Sequence, residues 1–137
     1  MSRSGYTDDF NNAWTLIRWR GAVASALRGR RGQAFLRELI AALDALPEKK
    51  LIVHELEVDG AVCAIGAVGR QRGIDMTALD PEDHEKIAAT FDVAHALTCE
   101  IFYINDEELG RATPEERFLE VRRWAVSKIE EKKDGIL

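Results

Sequence analysis

The chain has 137 residues, 46 % of them hydrophobic and 31 % charged, with a net charge of −5. That length and balance suit one globular domain with its own core and exclude an intrinsically disordered chain. Two cysteines far apart in sequence, a polar opening (MSRSGYTDDFNN) and no apolar run near the ~20 residues of a membrane span argue against a disulfide scaffold, a secretory leader and a membrane partner, so a cytoplasmic protein is expected.

The charge is unevenly spread. Residues 1–50 carry a net +4 and residues 51–137 a net −9. Six arginines (Arg18, Arg20, Arg28, Arg30, Arg31 and Arg37) fall within twenty residues. Such polarity orients a protein towards a charged partner or favours head-to-tail association into a homo-oligomer.

In chain order, a first helix is predicted after the polar stretch Asp8–Asn12, which supplies an Asp or Asn as N-cap. Trp14, Ile17, Gly21 and Ala24 form one stripe of it, and Leu16, Trp19, Val23 and Leu27 an adjacent one. Both tryptophans are therefore expected in the core, and Gly21 is expected to admit a close neighbour. A joint at Gly29–Gly32 leads to a second helix from about Gln33 to Leu46, whose Leu36, Leu39, Ile40, Leu43 and Leu46 repeat at three and four. Pro47 stops it, and the short joint predicts an antiparallel helical hairpin.

Leu51–Val58 (LIVHELEV) reads as a strand, and Asp59-Gly60 is a strong hairpin turn, with a partner strand from Ala61 that passes early into a helix near Ala64–Gln71. Asp80-Pro81 predicts a helix start, with Ile87, Ala88 and Phe91 on its apolar side. Asp92 is placed as the cap of a further helix through Ile104. Thr113-Pro114-Glu115-Glu116 is a capping box opening a last helix that buries Phe118, Val121, Ala125 and Ile129. The fold class expected is α+β, mainly α: a helical hairpin, a small central β-hairpin and three or four further helices. Residues 1–12 and 130–137 are expected to be flexible ends.

Few residues point to chemistry. His95 and Cys99 are four apart on a predicted helix, but a structural zinc site wants four ligands in paired short spacings; a core cysteine beside a half-buried histidine is the reading here, with no metal and no cofactor. His54, Glu55 and Glu57 suggest a small enzyme site, yet His54 and Glu55 point to opposite faces of a strand. Gly66, Gly69 and Gly73 match neither phosphate-binding fingerprint. The arginines remain, with Arg20, Arg28, Arg30, Arg31 and Arg37 as the candidate binding set. Guanidinium groups at fixed places on helices suit carboxylates or phosphates. A nucleic-acid-binding module is the alternative, disfavoured because stacking aromatics and an overall basic balance are missing.

Three stretches add a resemblance: RWRGAVASALRGRRGQAFLRELIAALDALP (18–47), HELEVDGAVCAIGAVGRQRG (54–73) and EIFYINDE (100–107). Together they resemble small proteins encoded by tailed phages and prophages of Gram-negative bacteria. The middle stretch is similar to a G-x-x-C-C-L-G-V-L segment of short phage proteins, although Val62-Cys63-Ala64-Ile65-Gly66 lacks the second cysteine. An Asn-Asp pair before the last helix, here Asn105-Asp106, is a further point of likeness. The resemblance spans Trp14 to Trp124 and brings no functional residue with it. It implies a phage accessory protein, not an enzyme, that binds a host protein or complex stoichiometrically in the bacterial cytoplasm, inhibition of a host defence system being one such role.

Overall fold

The structure, a computed structural model, describes residues 3–4, 13–108 and 110–130. Six α-helices and one two-stranded antiparallel sheet are seen among them: α1 (Ala13–Arg28), α2 (Arg30–Ala45), β1 (Glu57–Val58), β2 (Ala61–Val62), α3 (Ala64–Arg72), α4 (His84–Phe91), α5 (His95–Asp106) and α6 (Pro114–Lys128). The fold is thus α+β and mainly α, as the sequence implied. Of the expected flexible ends, Arg3 and Ser4 are buried, and the remainder lies outside the described residues apart from Glu130. The N-cap expected within Asp8–Asn12 also falls outside them.

Two helices organise the core. α2 buries Phe35, Leu36, Leu39, Ala42 and Leu43 against α3 and α6. α5 is buried over Leu97–Phe102, Ile104 and Asn105, and touches α1, α3, α4 and α6. Placing an apolar helix in the middle removes the most side-chain area from water, which is the main favourable term in folding.

The joint between α1 and α2 is tighter than the sequence suggests. Only Gly29 separates the helices, so Arg30, Arg31 and Gly32 stand in the first turn of α2. A Cβ at Gly32 would overlap the carbonyl oxygen of Ala26, so the close crossing of the two helices requires glycine there. Gln33 secures the corner: its amide Nε2 donates to Leu27 O at 2.6 Å and Lys128 O at 2.9 Å, while its Oε1 accepts from Glu130 N–H at 2.8 Å. Two carbonyls left open at helix ends are satisfied by this one side chain.

Four local expectations need correction. The strand expected over Leu51–Val58 shrinks to Glu57–Val58, because His54 takes a left-handed φ of 68° and breaks the extended run. The turn that follows has positive φ at both Asp59 (50°) and Gly60 (85°), the primed geometry that Asp-Gly favours. α4 starts at His84 with Asp83 as cap, its carboxylate accepting from Lys86 N–H at 3.1 Å; Asp80 instead closes a turn by accepting from Glu82 N–H. Asp92 caps nothing downstream: at φ 57° it ends α4, and the chain bends by 111° into α5. The capping box at Thr113 and Glu116 forms in full.

The fourth correction bears on function. Trp14, placed in the core by its pattern, is 73 % exposed, and Ile17 is 60 % exposed. On α1 only Val23 is buried, with Thr15, Trp19, Ala24, Ala26 and Leu27 partly so. Trp19, Val23 and Leu27 turn inward, with Leu16 of the same stripe 38 % exposed, while Trp14–Ile17–Gly21 turns to solvent. A Cβ at Gly21 would meet nothing within 4 Å, so the close neighbour expected there is not found among the described residues.

Candidate functional site

Arginines in this protein divide into two populations. Those of the first are tied to exacting partners, whether buried (Arg3, Arg117) or at the surface (Arg72, Arg122). Arg3, 1 % exposed, donates Nε and Nη2 to the two carboxylate oxygens of Asp106 at 2.7 and 2.5 Å and stacks over Phe102 at 4.3 Å. Asn105, beside Asp106, accepts from Ala64 N–H at 3.0 Å and donates to Ile52 O at 2.9 Å, so the Asn-Asp pair ties the end of α5 to the start of α3. Burial would raise the Asp106 carboxyl, but Arg3, Asn105 and the His54 N–H outweigh it and hold it below the usual carboxylate range. Arg72 forms a bidentate pair with Glu38, Arg122 another with Asp44, and buried Arg117 donates to Leu51 O and Ala112 O.

The candidate binding set lies elsewhere, around the α1–α2 corner. Arg31 reaches Asp92 at 3.1 Å, Arg20 reaches Glu100 at 3.9 Å, and Arg37 donates to Glu130 O at 3.4 Å. The Arg31–Asp92 pair is exposed on both sides and worth at most about 1 kcal/mol, whereas Arg20 faces the buried carboxylate of Glu100. The side chains of Arg28 and Arg30 are exposed and make no ion pair with a described residue. Arg28 complements the C-terminal end of α1, whereas Arg30 and Arg31 stand in the first turn of α2, where the macrodipole already gives positive potential. The corner is therefore a positive pole, and two of its arginines oppose local helix electrostatics. Arg37, about two turns further along α2, belongs to the contact with the chain just after α6 and not to this pole.

Helix geometry joins the pole to the outward stripe of α1. Trp14, Ile17, Gly21 and Arg28 lie on one face, over about 21 Å at 1.5 Å per residue. The result is an exposed strip, apolar at one end and cationic at the other.

On the other edge of α1, a cleft of about 350 Å³ is lined by Ser4, Thr15, Arg18, Trp19 and Ala22, and by His84, His95 and Cys99. His84 Nδ1 lies 2.5 Å from His95 Nε2, and Cys99 Sγ lies 3.5 Å from the same Nε2. The imidazoles stack at 4.6 Å, and Trp19 meets His95 edge-on at 6.2 Å. Burial and the neighbouring His84 lower the His95 pKa, against the pull of Glu85, while burial with the charges of Glu85 and Glu100 pushes the Cys99 thiol up to about 12. The sequence showed the His95/Cys99 pair but not His84, eleven residues away, because only the bend between α4 and α5 brings it in.

His54, Glu55 and Glu57 do not assemble. His54 is exposed and donates its N–H to Asp106 at 3.3 Å, and Glu57 pairs with Arg70 at 3.2 Å. The cleft beside the β-hairpin is lined by Glu48, Lys50, Asp59, Gly60, Arg70 and apolar neighbours, and by none of these three. Cys63 and Cys99 are both free and buried, as expected, and Cys63 caps α3 through its sulfur. Among the described residues no single helix is long and apolar enough to cross a membrane. No protein-family profile matches the chain, and no significant match is found among curated proteins or solved structures.

Proposed function

We propose that the protein acts by binding an acidic partner protein along the outward strip of α1 and the arginine pole in which the strip ends. The observation that carries this reading is the stripe Trp14–Ile17–Gly21, apolar and facing solvent. Exposed single hydrophobics are ordinary, but here two large ones share a helix face with a glycine. Glycine within a helix costs about 1 kcal/mol relative to alanine, and no contact among the described residues calls for it at position 21. A partner element crossing α1 at Gly21 would. Burying Trp14 and Ile17 there would contribute about 1.5–3 kcal/mol each. Arg28, Arg30 and Arg31 set the sign of the partner's charge. The class of partner proposed, on the resemblance to phage proteins alone, is a bacterial host protein or complex, with a component of a defence system as one example.

The test uses tagged protein on nuclease-treated host lysate, beside Ile17→Asp and Gly21→Leu variants whose helicity is checked by circular dichroism. A defined host component should be captured at one-to-one stoichiometry by the parent protein and by neither variant. Capture that both variants retain, or no capture at all, would sink the reading. A second reading, binding to nucleic acid, rests on the pole alone. It requires affinity that falls steeply with salt and a smaller salt slope when Arg28, Arg30 and Arg31 are neutralised.

A further inference from the structure

We propose that His84, His95 and Cys99 form a zinc site with a fourth coordination position open to the cleft lined by Trp19 and Arg18. Three electron-pair donors from two helices converge there: His84 Nδ1, His95 Nε2 and Cys99 Sγ all lie within 4.8 Å of one another. His95 and Cys99 are one turn apart on α5, and His84 is the first residue of α4.

Hydrogen bonding does not account for the arrangement. Nε2 of an imidazole carries either one proton or one in-plane lone pair. If it donates to His84 Nδ1, nothing is left for the sulfur; if it accepts, His84 and the thiol compete for the same lone pair. At most one of the contacts at 2.5 and 3.5 Å can be a hydrogen bond. A metal ion satisfies all three donors together.

One edge already suits a tetrahedral centre, and His84 has to shift to complete it, the three donor atoms lying within 4.8 Å of one another. With Zn–N near 2.05 Å and Zn–S near 2.3 Å, the N···S edge is about 3.6 Å and the N···N edge about 3.3 Å. The His95–Cys99 edge already has this length at 3.5 Å. The His84–His95 edge, at 2.5 Å, has to open by somewhat less than 1 Å. His84 can supply that motion, since it is half-buried and stands at a helix start rather than in a packed turn.

Donor chemistry selects the ion. Two imidazoles and a thiolate suit zinc or copper, whereas magnesium and calcium want oxygen ligands, of which the trio has none. Three protein ligands leave one tetrahedral position, and the cleft beside the trio, with the Arg18 guanidinium on its wall, has room there for water or a small anion. This site is independent of the partner-binding strip.

Cobalt titration of the chelator-treated full chain tests the assignment. One equivalent of Co²⁺ should give a thiolate-to-cobalt charge-transfer band and d–d bands of tetrahedral intensity, and Zn²⁺ should displace it. Azide should shift the d–d bands by entering the open position. Cys99→Ser should abolish the charge-transfer band, His84→Ala should weaken zinc binding by roughly tenfold or more, and Cys63→Ser should leave both unchanged. The assignment is overturned by a lack of stoichiometric binding at micromolar free metal, by binding that persists in the His84→Ala/Cys99→Ser double variant, or by a band that depends on Cys63. Azide-insensitive bands would overturn the open-position part.

Discussion

Replacing Asp106 by Asn should be among the most damaging single changes of one atom type in this protein. The Arg3 guanidinium is 1 % exposed, held by both carboxylate oxygens and laid over Phe102. Asn keeps the shape and can keep one acceptor, but it removes the negative charge and turns one acceptor into a donor aimed at Arg3. A buried charge left without its partner costs about 3–5 kcal/mol. The folded-state pKa of Asp106 is depressed, so its contribution is fully present above the unfolded value near 3.9 and is lost as pH falls through the folded value. Urea unfolding across the acid range should therefore show parent stability falling with pH below about 5, and Asp106→Asn lacking that part of the slope. Arg3→Met with Asp106→Leu should recover much of the loss, since a packed apolar pair replaces a desolvated ionic one. An Asp106→Asn variant within about 1 kcal/mol of the parent at neutral pH, with the same acid slope, would refute the buried pair.

Glycine substitutions separate the two ways in which this chain uses the residue. Gly21→Ala should stabilise by about 1 kcal/mol, raising the melting temperature by roughly 3–5 °C, because its Cβ meets open space on a helix. Gly66→Ala should destabilise by about 1–3 kcal/mol in urea titration. Its Cβ would overlap the Leu56 carbonyl, which is fixed by accepting the Cys63 N–H at 3.2 Å. Gln33→Ala should cost about 1–3 kcal/mol by the same measurement, since it frees Leu27 O and Lys128 O at two helix ends.

What could be read from the sequence was what local chemistry decides. The three-four repeat of α2, the Asp59-Gly60 turn and the Thr113 capping box each depend on residues within a few positions of one another, and each appears as expected. Competing local signals misled where two options were equally sound: Asp80 and Asp83 are both good caps, and the helix took the second. Leu51–Val58 has strand composition, but its first residues are claimed by distant groups. Leu51 N–H donates to Pro114 O, Leu51 O accepts from Arg117, and His54 N–H donates to Asp106. α1 is apolar on two stripes, and periodicity does not say which one the fold covers. The convergence of His84 with His95 depends on the 111° bend, and the Arg3–Asp106 pair spans 103 residues, so neither had a signal at short range.

α1 packs on α2 and α5 yet is the least buried of the helices among the described residues. Val23 is its only buried residue with a described side chain, whereas α2 has Leu36, Leu39 and Leu43 at 0 % exposure. A 16-residue helix is marginal by itself, so α1 depends on its one inward stripe and on the Gln33 corner. Its amides should therefore exchange with solvent through local opening at a free energy well below that of α2, whose amides should approach the global value. Hydrogen exchange read by mass spectrometry distinguishes the two helices directly. A partner covering Trp14 and Ile17 would add to α1 the second packed face it lacks, and its amides should slow most in the complex, with those of α6 little changed. Zinc, bound between α4 and α5, should instead protect the chain around Asp92 and leave the outward strip of α1 as before. Equal protection of α1 and α2 in the free protein would show that the outward stripe is already covered, and the case for a docking face would fall with it.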